Sequence, residues 1–299
     1  MAELAKNTAD ITAIPPEEKL ASPLKEAWQS FYRNKLALIG LAIVIFFIIL
    51  ALIAPVIAPY SYKEQVLTDR MQAPSSKHWF GTDDFGRDIF SRVIYGARIS
   101  LWVGFSSVLG SVVVGTMLGI VAGYYGRWVD AIISRIFDIM LAFPSILLAI
   151  AVVAILGPSL QNALIAIAIV NIPNFGRLVR SKVLSVKQDE YIMAARAIGM
   201  KDSRILFRHI LPNSISPVIV QASLAIATAI IEAAALGFLG MGAQAPTPEW
   251  GKMLADSKNY LMQAPWTLFF PGMAIMLTVL GFNLMGDGLR DAMDPKMKQ

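Results

Sequence analysis

Three acidic positions are the first candidates for chemistry. Asp83 and Asp84 stand side by side in the turn-rich run Gly81-Thr82-Asp83-Asp84-Phe85-Gly86-Arg87-Asp88. Paired carboxylates can do general acid–base work in hydrolysis. Adjacent on a turn, with Arg87 and Arg92 close behind, they read instead as helix-capping and ion-pairing groups. Glu232 lies in an apolar run, Thr228-Ala229-Ile230-Ile231-Glu232-Ala233-Ala234-Ala235. An acid there is costly and faces either protein or a water-filled cavity. Two roles stay open: a cavity carboxylate that meets the substrate or its charged terminus, or a structural acid bonded to a neighbouring helix or a partner subunit. The two histidines, His78 and His209, are far apart and stand in no cluster of ligand types, and there is no cysteine. The expectation is no metal site, no disulfide and no thiol chemistry. No G-x4-G-K-[ST], G-x-S-x-G or H-E-x-x-H occurs, so no catalytic residue is expected and no phosphate-cradling loop is present. Any energy must come from an ion gradient or another subunit.

A second kind of candidate is mechanical. Glu190 to Pro212, EYIMAARAIGMKDSRILFRHILP, is a polar island between apolar spans and holds Arg196, Lys201, Arg204 and Arg208. It reads as two short helices. The first stops near Gly199, a C-cap glycine. The second starts after Asp202 or Ser203 as N-cap and ends at Pro212. Two readings remain open: a pre-folded knob that docks into a groove on a soluble partner, or a solvated loop that obeys the positive-inside rule.

The elements that must position these residues are membrane spans. Of the 299 residues 56% are hydrophobic and 16% charged, the net charge is +5 and the mean hydropathy is +0.58. Soluble domains carry about 25% charged residues, so this composition fits a polytopic membrane protein better. The basic excess reports loop topology, and no nucleic-acid partner is expected. Residues 1–35 read as a cytoplasmic tail, without the pattern of a cleaved signal peptide, followed by an interfacial approach helix carrying Trp28, Phe31 and Tyr32. Six crossings follow: Leu36 to Ala58, Ile99 to Gly123, about Ile139 to Leu156, Asn162 to about Phe175 interrupted by Pro173, Ile215 to about Leu239, and Trp266 to Met285. With both termini inside, cytoplasmic segments hold eighteen Lys+Arg and external ones eight, the asymmetry of the positive-inside rule.

The layout is then a first span at 36–58, an external loop with an amphipathic helix at 59–98, a core of five spans at 99–285 that includes the cytoplasmic segment 180–212, and a cytoplasmic tail at 286–299. Gly115, Gly119 and Gly123, four apart, form a flat face for a close helix crossing. The second external segment runs from Gly240 to Pro265, and its Trp250, with Trp266, suits the outer interface.

These residues resemble a known family. Ala194, Ala195, Gly199, Leu211 and Pro212 match the signature E-A-A-x3-G-x9-I-x-L-P of permease subunits of binding-protein-dependent ABC importers. Met193 stands where that signature has Glu, and His209 where it has Ile. Gly81-Thr82-Asp83 with Gly86-Arg87-Asp88 and Ser91-Arg92, Gly237-Phe238-Leu239-Gly240 with Pro246 to Gly251, and Phe282-Asn283-Leu284 with Gly286 to Asp291 are similar to signatures of the dipeptide/oligopeptide/nickel branch. Within that branch the chain is most similar to the dipeptide C-type subunits.

The resemblance implies an all-α permease of the type I importer fold in the bacterial cytoplasmic (inner) membrane. It implies a homologous second permease, two ABC ATPase subunits that bind ATP and Mg²⁺, and an external substrate-binding protein. This chain would carry no cofactor and would not be an enzyme. Ala194, Ala195, Arg196, Gly199, Asp202, Leu211 and Pro212 would then form the coupling segment seated on an ATPase. The implied activity is import of peptides, di- or oligopeptides, with nickel chelate, haem or glutathione as other cargoes of the branch. From the residues alone, an ion-coupled secondary transporter using Glu232 and a non-transporting membrane scaffold stay open as well.

Overall fold

The computed structural model describes residues 23–293. The expected tail at 1–22 and the last part of the C-terminal tail, 294–299, lie outside the described residues. Everything described is helix, turn or loop, apart from one isolated bridge between Thr82 and Asp88. Five helices are long and apolar enough to cross a bilayer, and six crossings result when one bent pair is counted as a broken span. Large apolar side chains such as Leu52, Val56, Trp102, Met117 and Ile155 are exposed along them. On a soluble protein such faces would drive aggregation; against lipid they are at home.

Helix α1, Pro23–Arg33, leads into α2, Lys35–Ile57, through Asn34. The Asn34 side chain accepts from the backbone N–H groups of Leu36 and Ala37 at 3.1 and 3.2 Å and so caps α2. Helix α3 is Ile89–Tyr125, 37 residues without a break. The amphipathic helix of the external loop runs straight into the second span as one rod, because no breaker separates them. Asp88 caps it, its carboxylate accepting from the Ser91 N–H at 2.8 Å.

The third crossing departs from the expected straight span. Helix α4, Arg127–Leu141, and helix α5, Ser145–Leu156, meet at a bend of 97°. Pro144 has no N–H and disfavours helical φ/ψ at Phe143, so the chain turns there. The fourth crossing departs in the opposite sense. Helix α6, Leu160–Val186, runs unbroken through the buried Pro173. Neighbouring helices supply what a proline removes, so a span can continue past it.

Helix α7 is Glu190–Ala197, and helix α8 runs from Asp202 to Phe238. The separate second knob helix ending at Pro212 does not exist. The segment enters the fifth span through one π turn, Leu206–Ile210. That wide turn absorbs the register slip imposed by a ring with no N–H to give. Lys201, not Asp202 or Ser203, occupies the N-cap position. Helix α9, Trp250–Ser257, and helix α10, Trp266–Met293, complete the chain. The last span runs eight residues past its expected end at Met285, because Gly286 and Gly288 let it lie against Leu224 and Ala37 instead of stopping it.

Residues 58–88 and 239–265 fold into a cap over one end of the bundle. Arg92, 2% exposed, donates to the carbonyls of Tyr62 at 3.0 Å and Pro246 at 3.3 Å. Asp83 pairs with Arg87 at 2.6 Å and His78 Nδ1 meets Asp88 at 2.9 Å. Lys77, donating to Asp69, holds that carboxyl below its ordinary value. Trp250, expected at the membrane interface, is instead fully buried, with its Nε1–H donated to the Val93 carbonyl at 3.0 Å. Glu249 beside it accepts the Gly251 and Lys252 N–H groups at 2.8 Å and caps α9; burial pushes its carboxyl up.

The tightest helix pairing is α3 on α6. A Cβ on Gly115 would meet Phe175 Cβ at 2.7 Å, on Gly119 the Gly176 carbonyl at 2.5 Å, and on Gly123 Val183 Cβ at 2.9 Å. Gly119→Leu is expected to force the two helices apart and cost about 1–3 kcal/mol or more. The thermal unfolding midpoint in detergent should fall by several degrees, while Gly272→Ala, whose Cβ would have only Leu254 Cδ2 at 4.0 Å, should leave it in place.

Candidate functional site

The site stands at the end of the bundle opposite the cap. Helix α7 presents two faces. Ile192 and Ala195 are buried, and with Ile205 and Ile210 from α8 the isoleucines join the cluster made by Val179, Val183 and Val186 of α6. Tyr191, Met193, Ala194, Ala197 and Ile198 are exposed. So the Ala-Ala pair is split: Ala194 looks outward and Ala195 packs inward. Ile198, 79% exposed, extends the outward face, while Phe207 of α8, 71% exposed, lines a groove against α3.

The turn between the two helices is a Schellman motif. Met200 N–H donates to the Ala195 carbonyl at 3.0 Å and Gly199 N–H to the Arg196 carbonyl at 2.9 Å. Gly199 has φ +77°. That left-handed backbone costs an L residue roughly 1–2 kcal/mol, which is why the position suits glycine.

What fixes the knob to the bundle is Tyr124, the penultimate residue of α3. Its hydroxyl donates to the Asp202 carboxylate. The Arg196 guanidinium lies 5.2 Å from its ring centroid. Lys187 Nζ donates to its carbonyl at 2.6 Å. Three parts of the segment therefore converge on one residue. A second clasp joins the knob's ends, Asn213 Nδ2 donating to the Tyr191 hydroxyl at 2.9 Å and to the His209 carbonyl at 2.8 Å. Desolvation, with Asp189 alongside, raises the Tyr191 phenol above its ordinary value, so it stays protonated. Tyr124 was not among the residues expected from sequence, since 78 positions separate it from Asp202 and no local pattern links them.

Beyond the knob, α8 is two-faced. Leu211, Ser214, Ile215, Val218 and Ile219 line an apolar groove of about 540 Å³ against α3. Pro212 is exposed where the long helix leaves the π turn. On the other face, Asn213, Ser216 and Gln221, with Leu178, Val220 and Leu224, line a cleft of mixed polarity of about 620 Å³ between α6, α8 and α10, which also receives Lys182 and Arg290. Deeper along α8, Glu232 is 7% exposed and accepts from Asn171 Nδ2 of α6 at 3.1 Å. Within this chain its carboxylate is bonded to a neighbouring helix.

Two family models match. One, "Binding-protein-dependent transport system inner membrane component", covers residues 115–299. The other, "N-terminal TM domain of oligopeptide transport permease C", covers residues 22–74. The dipeptide transport system permease protein DppC of Alkalihalophilus pseudofirmus is 65% identical over 97% of this chain and 96% of its own length. The glutathione transport system permease protein GsiD of Pectobacterium atrosepticum is 50% identical over 94% of each chain. The di/tripeptide transport system permease protein DppC of Pseudomonas aeruginosa is 49% identical over 96% of each. Among solved structures, a chain of the inward-facing MetNI methionine ABC transporter superposes with TM-score 0.55 at 20% identity, over 67% of this chain and 96% of that one, a likeness of fold. On the two matched segments and on identities this high over nearly the whole length, the chain belongs to the inner-membrane permease components of binding-protein-dependent ABC importers.

Proposed function

We propose that this permease is one of two homologous halves of an ATP-driven importer of di- or oligopeptides. The knob end faces the cytoplasm, and there two ABC ATPase subunits bind ATP and Mg²⁺. The cap end faces outward and receives the substrate-binding protein. This chain hydrolyses nothing; it turns the movement of its partners into opening and closing of a pore. Three relatives named for dipeptide, di/tripeptide or glutathione transport support the cargo class, glutathione being itself a tripeptide.

The observation that carries the coupling role is the split of α7. One face is locked to the bundle through Ile192, Ala195 and Tyr124, while the other leaves Met193, Ala194 and, just past its end, Ile198 uncovered. A helix held this firmly transmits a displacement, where a loose loop would absorb it. Burying each large apolar side chain against a groove contributes roughly 1.5–3 kcal/mol, enough in sum for a seated helix. The ion-coupled alternative needs Glu232 free to exchange a proton with a path, and the Asn171 bond holds it.

The test is co-expression with ABC ATPase subunits of a dipeptide importer from the same organism and capture through a tag on this chain. Both ATPase copies should co-purify with it and with a second permease. Ala194→Arg should reduce that recovery and peptide uptake at least tenfold with membrane insertion unchanged. Capture of no ATPase by the wild-type chain would retire the reading. Ala195→Arg should act differently, because it buries a charge and lowers the yield of folded protein itself.

The turn gives a finer measure. Gly199→Ala is expected to cost about 1 kcal/mol through its φ. It should lower the number of peptides carried per ATP hydrolysed in proteoliposomes. An unchanged ratio would mean that the turn's geometry does not matter to coupling.

A further inference from the structure

The two faces of α8 near the knob differ in chemistry as well as in shape. Residues 211, 214, 215, 218 and 219 make one helical face and 213, 216, 217, 220, 221 and 224 another. The first opens on an apolar groove that lipid can fill. The second is ill suited to lipid, because Ser216 and Gln221 carry a hydroxyl and an amide into the span, while Asn213, Lys182 and Arg290 stand at its knob end. Helical rise puts Asn213 and Gln221 about 12 Å apart along the axis, so the polar stripe enters the first turns of the span.

Lys182 arrives from α6 and Arg290 from α10, both exposed at the knob end of the cleft. Neither forms an ion pair among the described residues. Asp287 and Asp291 stand within a turn of Arg290, exposed and not paired with it. Asn213 spends its amide N–H groups on Tyr191 and His209, which leaves its carbonyl oxygen for a donor. The volume, about 620 Å³, lies in the usual range of roughly 300–1,000 Å³ for small-molecule sites. A dipeptide, at about 3.5 Å per residue, spans only about 7 Å and fits lengthwise.

We infer that this cleft is the chain's contribution to the inner part of the translocation path, and that Lys182 and Arg290 hold the C-terminal carboxylate of the peptide in transit. The inference rests on the importer reading above. A main-chain carboxylate is common to all peptides, so a site that grips it accepts varied side chains. Two cations on separate helices of one subunit form a grip that opens when the helices part, so the anion is released as the path widens. Asn213 links the cleft to the coupling segment, because the same side chain clasps Tyr191 of α7.

The experiment uses the whole complex, nucleotide-free, in phosphatidylcholine nanodiscs, with the photoreactive dipeptide alanyl-photoleucine as probe. Crosslinks are mapped by mass spectrometry. The expected result is labelling between residues 213 and 224 or near 290. A tenfold excess of Ala-Leu should suppress it and Ala-Leu amide should not. Lys182→Gln with Arg290→Gln should lower the labelling at least fivefold, and Lys182→Arg with Arg290→Lys should restore most of it.

Labelling that the amide suppresses equally, or that the double Gln variant leaves unchanged, overturns the carboxylate assignment, as does the absence of label from the cleft. Added phosphatidylglycerol that blocks the wild-type label would mark the cleft as a lipid phosphate site and also overturn it. ATPase recovery in the same preparation is read separately: its loss counts against the importer reading, while the labelling pattern alone decides the cleft.

Discussion

Close contact between α3 and α6 is the constraint on which the rest depends. Three glycines, Gly115, Gly119 and Gly123, bring backbone to backbone over a little more than two turns. Dispersion between such closely fitted surfaces is what holds helices together where lipid offers no hydrophobic gain. The crossing also fixes where α3 ends. Tyr124 follows directly after the last of these glycines, and it is the residue that takes Asp202, Arg196 and Lys187. Loosen the crossing and the knob loses its anchor. Packing in the middle of the membrane thus sets the posture of a segment outside it.

Around that crossing, the chain separates rigid from adaptable surfaces. The cap is built from buried charges and a buried Trp250, and the knob's inner face from isoleucines at 0% exposure. The uncovered surfaces are the outer face of α7, the apolar groove and the polar cleft. Each has a chemistry that suits a different neighbour: a protein groove, lipid, and water with solute. One helix, α8, takes part in all three, because it begins in the knob, turns through the π turn and continues as a span.

Much of this was legible from the residues and some was not. Long apolar windows made the polytopic class plain and placed five spanning helices, while the third of the six expected crossings is a pair bent by 97°. The four-residue spacing of the glycines likewise reads as a flat face. Proline was the misleading signal. Pro173 and Pro212 looked like breaks yet lie in continuous helices, while Pro144 ends one and turns the chain by 97°. Local chemistry is the same at all three; the difference lies in the helices packed around them. Trp250 looked like a belt residue because aromatic composition cannot tell a wall from an interior. The polar stripe through Asn213, Ser216 and Gln221 was present in the spacing, hidden by the apolar average of the span around it. Tyr124 could not have been found locally at all.

One last property follows from α3 being a single helix of 37 residues. At 1.5 Å per residue it is about 55 Å long. Its first turns are riveted into the cap by Asp88 and Arg92, and its last turn into the knob by Tyr124. A strut fastened at both ends cannot pivot at one without swinging the other, and a tilt of about 5° displaces the far tip by about 5 Å. Events on the two faces of the membrane are therefore written into one rigid member, so a displacement at either end can travel by leverage instead of by a relay of small side-chain adjustments.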